Sequence, residues 1–197
     1  MAPGIPSNTA ANPLFTAAKE VQDFLVKNGW PFCFIGGLAV IRWGEMRITQ
    51  DIDLCLQCGF GNEETRISSL LSHFSSRISD GENFARRYRV LLLVASNHVA
   101  IDVTLSGIPF EVEMIQRASR FAFSDTCDLI TCSADDLVVL KAFADRTRDW
   151  MDVETIVQRQ GDRLDQRAIL SRLQPLCEAK EQPEIIKKLK RLFQTIV

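Results

Sequence analysis

The chain has 197 residues and a formal net charge of −2 at pH 7. A chain of this length buries about 70% of the surface that its unfolded form exposes, so it needs no disulfide or metal to complete a core. A hydrophobic content of 46% with 24% charged residues is typical of a globular domain and excludes a disordered chain. The charge argues against a protein that coats nucleic acid, and leaves a local basic groove open.

Neither a membrane span nor a secretory signal is predicted. The longest apolar run, 90–95, is far shorter than the about 20 residues that a membrane helix needs. Residues 1–13 have no basic region followed by an apolar one, and their Ala, Pro, Ser, Asn and Thr content predicts a mobile leader. The sequence therefore predicts a cytoplasmic protein with no membrane partner.

Six cysteines are expected to be reduced thiols, since no signal peptide is predicted. Cys55 and Cys58 have the spacing of zinc ligands, but their partners would have to be Cys127 and Cys132, five residues apart. Cys55 also falls within a predicted strand. Buried core thiols are therefore the favoured interpretation, and a zinc site is the weaker alternative.

The first two thirds of the chain predict alternating helices and strands. An apolar stripe predicts a helix at 15–28, and two-residue alternation predicts a strand at 48–56, with Ile48, Ile52 and Leu54 on its core face. The other elements predicted here are strands at 32–35, 88–95, 99–105, 109–115 and 130–132, and helices at 38–43 and 63–78.

After residue 132 the pattern becomes helical. Ser133 precedes Asp136 by three residues, which is typical of a helix start, and Asp149 precedes Asp152 in the same way. The predicted helices are 133–144, 149–160, 165–179 and 183–196. The fold class is therefore α+β, with a mixed β-sheet flanked by helices, a core at 14–132 and a helical C-terminal region at 133–197.

Two aspartates in the strand at 48–56 form the first candidate site. Asp51 and Asp53 are two residues apart, so both side chains lie on the face opposite Ile52 and Leu54. Two carboxylates this close repel each other and raise each other's pKa. A hard divalent cation relieves that repulsion, and oxygen ligands suit Mg²⁺, with Mn²⁺ as an alternative. Two solvated acids near a turn are the competing interpretation of this motif alone.

Asp102 has the same phase in its own predicted strand, because Ile101 and Val103 face the core. If that strand pairs beside the first, three carboxylates converge. Such a cluster can hold two cations about 4 Å apart, which stabilise the attacking and leaving oxygens of a phosphoryl displacement. Asp102 could also accept a proton from an acceptor hydroxyl.

A glycine pair precedes the acids. Gly36 and Gly37 lie between a strand and a short helix, where glycine allows a close backbone approach and the helix N-terminus offers free N–H groups to a phosphate. Gly-Gly alone is a weak signal, since it marks many turns. Its combination with acids at strand phase is more specific.

These residues resemble one family. The stretches Phe34-Ile-Gly-Gly-Leu-Ala-Val40 and Arg47-Ile-Thr-Gln-Asp-Ile-Asp-Leu54 resemble the strand–glycine–helix–DxD signature of the DNA polymerase β-type nucleotidyltransferase superfamily. Within it, the chain is most similar to AbiEii-type minimal nucleotidyltransferases, often toxins of toxin–antitoxin systems. The stretch 136–152, with Lys141 and an Arg-Asp-x-x-Asp pattern, is also similar, so the resemblance covers 15–160.

The resemblance implies a nucleotidyltransferase fold and Mg²⁺-dependent transfer of NMP from an NTP to an acceptor hydroxyl, with release of pyrophosphate. The acceptor is tRNA, a protein or a small molecule, and an antitoxin protein is a further partner. Many relatives have serine where Gly37 stands, so one hydroxyl contact to phosphate is missing here. The implied roles are phosphate binding by Gly36, Gly37 and Lys141, and metal binding by Asp51, Asp53 and the third acid Asp102.

Other assignments leave two interpretations open. Arg47 either contacts phosphate or stabilises Asp51, and Thr49 shares the face of the acids; plain sheet structure explains both equally well. Lys141 reaches a phosphate or is a surface lysine. For the whole chain, the alternative to an enzyme is a catalytically inactive nucleotide-sensing or protein-interaction module on the same fold.

Overall fold

The computed structural model describes residues 12–196. The helices in this range are α1 (Pro13–Lys27), α2 (Gly36–Trp43), α3 (Glu63–His73), α4 (Gly81–Tyr88), α5 (Pro109–Gln116), α6 (Ala134–Ala144), α7 (Thr147–Gln160), α8 (Gln166–Ala179) and α9 (Glu184–Ile196), with a 3-10 turn at Gly161–Arg163. The strands are β1 (Phe32–Phe34), β2 (Asp51–Leu56), β3 (Ser75–Ser76), β4 (Val90–Val94), β5 (Ala100–Leu105), β6 (Ser119–Ser124) and β7 (Cys127–Thr131). Most of the predicted leader, residues 1–11, lies outside the described residues. The division of the chain after residue 132 stays a prediction.

The strands form one mixed sheet in the order β3-β4-β5-β2-β1-β7-β6. The β2–β5 and β1–β7 pairs are parallel and the other pairs are antiparallel. The predicted α+β class with a mixed sheet is confirmed.

The register of the central strands brings the candidate residues together near one end of those strands. Asp53 of β2 lies directly opposite Asp102 of β5. On the other side of β2, Phe34 of β1 pairs with Leu54, so the turn that begins α2 at Gly36 lies beside Asp53. Side chains opposite each other in a sheet point to the same face. This pairing therefore brings the acids together, as their common phase in the two predicted strands indicated.

Apolar side chains cover both faces of the sheet. One core packs α1 and α3 against residues such as Phe34, Ile52 and Leu54, and the other packs α2, α6 and α7 against Cys33 and Cys55. All six cysteines are free and buried, which confirms the prediction of core thiols. In the described range, no helix is both long enough and apolar enough to cross a membrane.

Several predicted elements were wrong. The stretch 109–115, predicted as a strand, is helix α5: Pro109 occupies its first turn, and Glu111 accepts hydrogen bonds from the N–H groups of Gly107 (2.6 Å) and Ile108 (3.2 Å). The edge strand β6 was not predicted, because its first four residues are all exposed and show no alternation of apolar and polar side chains.

Two predicted boundaries also move. The helix predicted at 63–78 ends at His73, and the chain then forms β3, which pairs with β4. The strand predicted from residue 48 begins at Asp51, and Ile48 is not in the core, since 84% of its surface is exposed. Residues 45–50 instead form an irregular segment that leads into β2.

Candidate active site

One cavity of about 640 Å³ contains most of the predicted site residues. It lies at the N-terminal ends of the central strands β2 and β5, between those strands and the start of α7. Among the predicted site residues, its lining includes Gly37, Arg47, Thr49, Asp51, Asp53, Asp102 and Lys141. The lining also includes Arg146, Arg148 and Asp149, which were not predicted as site residues.

The glycine turn packs directly on the acids. Ile35 donates its N–H to the carbonyl of Asp53 (2.9 Å), and Gly36 has a φ of +55°. A Cβ on Gly36 would lie 2.0 Å from Oδ2 of Asp53, and a Cβ on Gly37 would lie 2.3 Å from Oγ1 of Thr49. Both positions therefore need glycine, for the backbone angle at the first and for space at both.

The three carboxylates differ in environment. Asp51 is exposed and accepts a hydrogen bond from the Thr49 hydroxyl at 3.1 Å. Burial raises the pKa of Asp53, and the nearby charges of Asp51 and Asp102 raise it further, against the opposing effects of Lys141 and the Gly37 N–H. Burial also raises the pKa of Asp102, with Arg77 opposing. The site thus concentrates negative charge that a cation would neutralise.

Arg77 forms an ion pair with Asp102 through Nη2 and Oδ1. The sequence reasoning missed this residue because it placed Arg77 in a helix. In the structure, Arg77 follows the short strand β3, and its N–H continues the β3–β4 ladder by donating to the carbonyl of Leu92 at 2.9 Å. The third predicted acid therefore has a cationic neighbour that no sequence pattern indicated.

Lys141 is not a surface lysine, since it is only 8% exposed. Its Nζ lies 2.9 Å from Oδ1 of Asp149 and 2.7 Å from Oδ2 of Asp152. The two aspartates lie within α7, which begins two residues before Asp149, so the predicted helix start at Asp149 was wrong. Their carboxylates contact the buried ammonium group of Lys141, a role that helix capping alone would not require.

Arg47 contacts this group and does not contact Asp51. Its Nε and Nη2 donate to the two carboxylate oxygens of Asp152 at 2.9 and 3.2 Å. The expected stabilisation of Asp51 by Arg47 was therefore wrong, and the Thr49 hydroxyl makes that contact. Arg146 adds a second partner for Asp149. Five charged groups thus join the segment before β2 to helices α6 and α7.

The donor set fits a hard divalent cation in type, because Asp51, Asp53 and Asp102 bring their carboxylates to one cavity and magnesium prefers oxygen ligands. It does not yet form a three-ligand site. Within residues 12–196, no group of three or more His, Cys, Asp or Glu side chains has an arrangement that could hold a metal ion. Asp51 and Asp53 remain free of arginine partners there, whereas Asp102 is paired with Arg77.

Solved structures with a similar fold are nucleotidyltransferases. The antigenic nucleotidyltransferase-like protein from Paracoccidioides brasiliensis matches with a TM-score of 0.52 and 13% identity, over 89% of this chain and 92% of that one. ANT(2″)-Ia in complex with adenylyl-2″-tobramycin matches with a TM-score of 0.52 and 13% identity, over 84% and 98%. The lincosamide adenylyltransferase LnuA, lincomycin-bound, matches with a TM-score of 0.50 and 11% identity, over 72% and 94%. At such identities the likeness shows the fold.

The family comparison covers most of the chain. Residues 25–196 match the family model described as nucleotidyl transferase AbiEii toxin, Type IV TA system. A search of curated protein sequences found no match. The matched range includes the glycine turn, the three acids and the buried lysine group described above. The chain belongs to the AbiEii family of nucleotidyltransferase toxins.

Proposed function

We propose that this nucleotidyltransferase moves NMP from an NTP to an acceptor hydroxyl and releases pyrophosphate, with Mg²⁺ bound at Asp51, Asp53 and Asp102. One observation carries the proposal. The glycine turn at the start of α2 packs on the same acids that face the cavity, so a phosphate at the turn would lie beside the carboxylates. This is the arrangement that phosphoryl transfer needs.

The triphosphate would bind at the glycine turn. The first N–H groups of α2 have no partner within the helix, and a phosphate at the turn would accept hydrogen bonds from them. The Thr49 hydroxyl lies where a side chain at residue 37 would start, so Thr49 supplies the hydroxyl that serine supplies in many relatives. Lys141, Arg146 and Arg148 line the same cavity and add positive charge.

Asp51 and Asp53 would bind Mg²⁺, or Mn²⁺ in its place. The bound cation would neutralise charge on the phosphates and on the leaving pyrophosphate. The acceptor oxygen attacks the α-phosphorus, the bond from that phosphorus to the bridging oxygen breaks, and pyrophosphate leaves with the bonding pair. Asp102 accepts the proton of the acceptor hydroxyl.

The acceptor is one of three classes: tRNA, a protein or a small molecule. Two similar structures contain a small molecule, lincomycin or adenylyl-tobramycin. The base of the NTP is proposed to be adenine, by analogy with those adenylyltransferases. An antitoxin protein is the partner that the family suggests. A cytoplasmic location stays a prediction.

A second candidate function has one observation in its favour. Asp102 is paired with Arg77, and the described residues form no three-ligand metal group. A catalytically inactive module that binds a nucleotide or a protein would tolerate that pairing. Such a module would bind an NTP and transfer nothing.

Transfer of label distinguishes the two. Purified protein is incubated with Mg²⁺, an α-labelled NTP and, in turn, total RNA, a protein extract or a metabolite extract. The enzyme hypothesis predicts labelled acceptor with the wild type and none with Asp53→Asn. Asp128→Asn, a change in an exposed aspartate of β7, is the control and should retain transfer. Equal transfer by wild type and Asp53→Asn would contradict the mechanism.

A further inference from the structure

Four residues form one row across the sheet: three lie in the neighbouring strands β4, β5 and β2, and the fourth, Arg77, directly follows β3. Arg77 donates its N–H to Leu92, Leu92 lies opposite Asp102, and Asp102 lies opposite Asp53. Residues in such a row present their side chains on one face of the sheet. The row therefore places one cation and two of the three acids on the face that forms the cavity.

Arg77 reaches Asp102 by crossing Leu92. Neighbouring strands are about 4.8 Å apart, so the Cα atoms of Arg77 and Asp102 are about 10 Å apart in this row. A long side chain can cover that distance, with its methylene groups over the half-buried Leu92 and its charge at the carboxylate. Both partners keep a third of their side-chain surface exposed to water.

This ion pair uses the carboxylate that a cation site would need. Asp102 offers its Oδ1 to Arg77 and is the third acid of the cavity. An arginine–carboxylate pair with a third of each side chain open to water is weak, worth about fivefold in an equilibrium constant or less, because water competes for both charges. A divalent cation shared by two or three carboxylates binds more strongly and can displace it.

We propose that Arg77 competes with the divalent cation for Asp102, so that the cation completes its site only when Arg77 releases this carboxylate. The inference rests on the proposed function, since it requires a cation at the three acids. Arg77 is then a residue that controls metal binding through the Asp102 carboxylate. The released guanidinium would remain beside the cavity as a free cation.

Mn²⁺ binding to the nucleotide-free protein tests this inference without an activity assay. Free Mn²⁺ is measured by its electron paramagnetic resonance signal during titration of the wild type and Arg77→Gln. We expect Kd for Mn²⁺ to fall about fivefold in Arg77→Gln. Arg77→Lys, which keeps the positive charge as a single ammonium group on a shorter side chain, should give an intermediate Kd. An unchanged or higher Kd in Arg77→Gln would overturn the inference.

Two further variants show whether the effect acts through Asp102. In an Asp102→Asn background, Arg77→Gln should leave Kd unchanged, because the contested carboxylate is gone. An equal fivefold fall in that background would also overturn the inference, since Arg77 would then act only as a nearby charge. Arg120→Gln, which breaks the Arg120–Asp128 pair between β6 and β7, is the matched control and should bind as the wild type does.

The same titration separates this inference from the proposed function. If the wild type binds Mn²⁺, Asp51→Asn/Asp53→Asn does not, and Arg77→Gln matches the wild type, the inference fails and the metal site stands. If no variant binds Mn²⁺, alone or with an NTP, both fail.

Discussion

Arg47 and Asp152 form a two-point ion pair, with Nε–Oδ1 and Nη2–Oδ2 distances of 2.9 and 3.2 Å. The pair joins the segment before β2 to α7. Asp152 also contacts Lys141 at 2.7 Å, and Lys141 contacts Asp149. Because Lys141 extends from α6, these contacts connect the segment that leads to Asp51 with both helices that line the cavity. The position of the acids thus depends on charges well outside the DxD motif.

Loss of the Lys141 charge should destabilise the fold. Lys141→Met leaves two buried carboxylates with fewer counter-charges, and breaking a buried pair from one side costs about 3–5 kcal/mol. We expect the lower end of that range, because Arg47 and Arg146 still contact the aspartates. Urea denaturation measures the loss. Lys187→Met, in an exposed pair with Glu184, should change stability by less than about 0.5 kcal/mol, and an equal effect would contradict this account.

Gly36→Ala should abolish nucleotide binding at the turn. A Cβ there would overlap the Asp53 carboxylate, and the φ of +55° adds about 1 kcal/mol of strain. Gly29→Ala is the matched control, because Gly29 has a φ of +66° with no atom within 4 Å of the added Cβ. The positive φ should cost both variants a similar amount of stability, and the overlap with Asp53 should cost Gly36→Ala more. Only Gly36→Ala should lose the rise in melting temperature with Mg²⁺ and NTP. Retention of that rise in Gly36→Ala would show that the turn is not the phosphate site.

Thr49 should contribute through its hydroxyl. Thr49→Val keeps the shape of the side chain and removes the hydroxyl that is proposed to contact the phosphate, together with its bond to Asp51. The NTP affinity should therefore fall about tenfold, the value of one hydrogen bond to a charged group. Thr49→Ser keeps the hydroxyl and should bind as the wild type does. Calorimetric titration with Mg²⁺ and NTP measures both. Equal affinities for the valine and serine variants would assign Thr49 a purely structural role.

Asp53 should make the metal-free fold less stable as pH rises. Its pKa in the folded protein lies above the ordinary value of 3.8, so the unfolded chain releases this proton first. The folded state then binds more protons, and stability falls as pH rises from about 3.8 through the folded-state pKa. In EDTA, Asp53→Asn should therefore melt above the wild type at pH 7, with a difference that shrinks toward pH 4.

A second aspartate supplies a control of opposite sign. The side-chain bond from Arg120 lowers the pKa of Asp128, so Asp128 stabilises the fold at neutral pH and loses this effect as the pH falls. Asp128→Asn should not melt above the wild type at pH 7. A pH-independent gain in Asp53→Asn would contradict the burial of its charge.

The sequence predicted the placement of the acids in the sheet because that signal is local. Alternation within one strand decides the face of Asp51 and Asp53, and the same phase identified Asp102. Asp102 lies directly opposite Asp53 because β2 and β5 pair in parallel. The sequence alone does not predict which strands pair. The family and fold class were confirmed, whereas the roles of the site residues stay predictions.

The partners of the charged groups could not be read from the sequence. The apolar residues up to Phe74 predicted a helix that included Arg77. The pairing of β3 with β4 ends that helix and places Arg77 where it reaches Asp102. The alternation of Phe110, Val112 and Met114 is typical of a strand, although Pro109 is typical of a helix start and the segment forms α5. In both cases a long-range contact or a cap outweighed the local pattern.

The central claim is that a nucleotide and a divalent cation bind together at the strand acids. The most direct test follows the melting temperature of the wild type and Asp51→Asn/Asp53→Asn with each of the four NTPs, with and without Mg²⁺. A ligand at 100 times its Kd stabilises a protein by about 2.7 kcal/mol, so binding is easily detected. We predict a Mg²⁺-dependent rise in the wild type with at least one NTP, absent from the double variant. No rise with any NTP, or an equal rise in both proteins, would contradict the account.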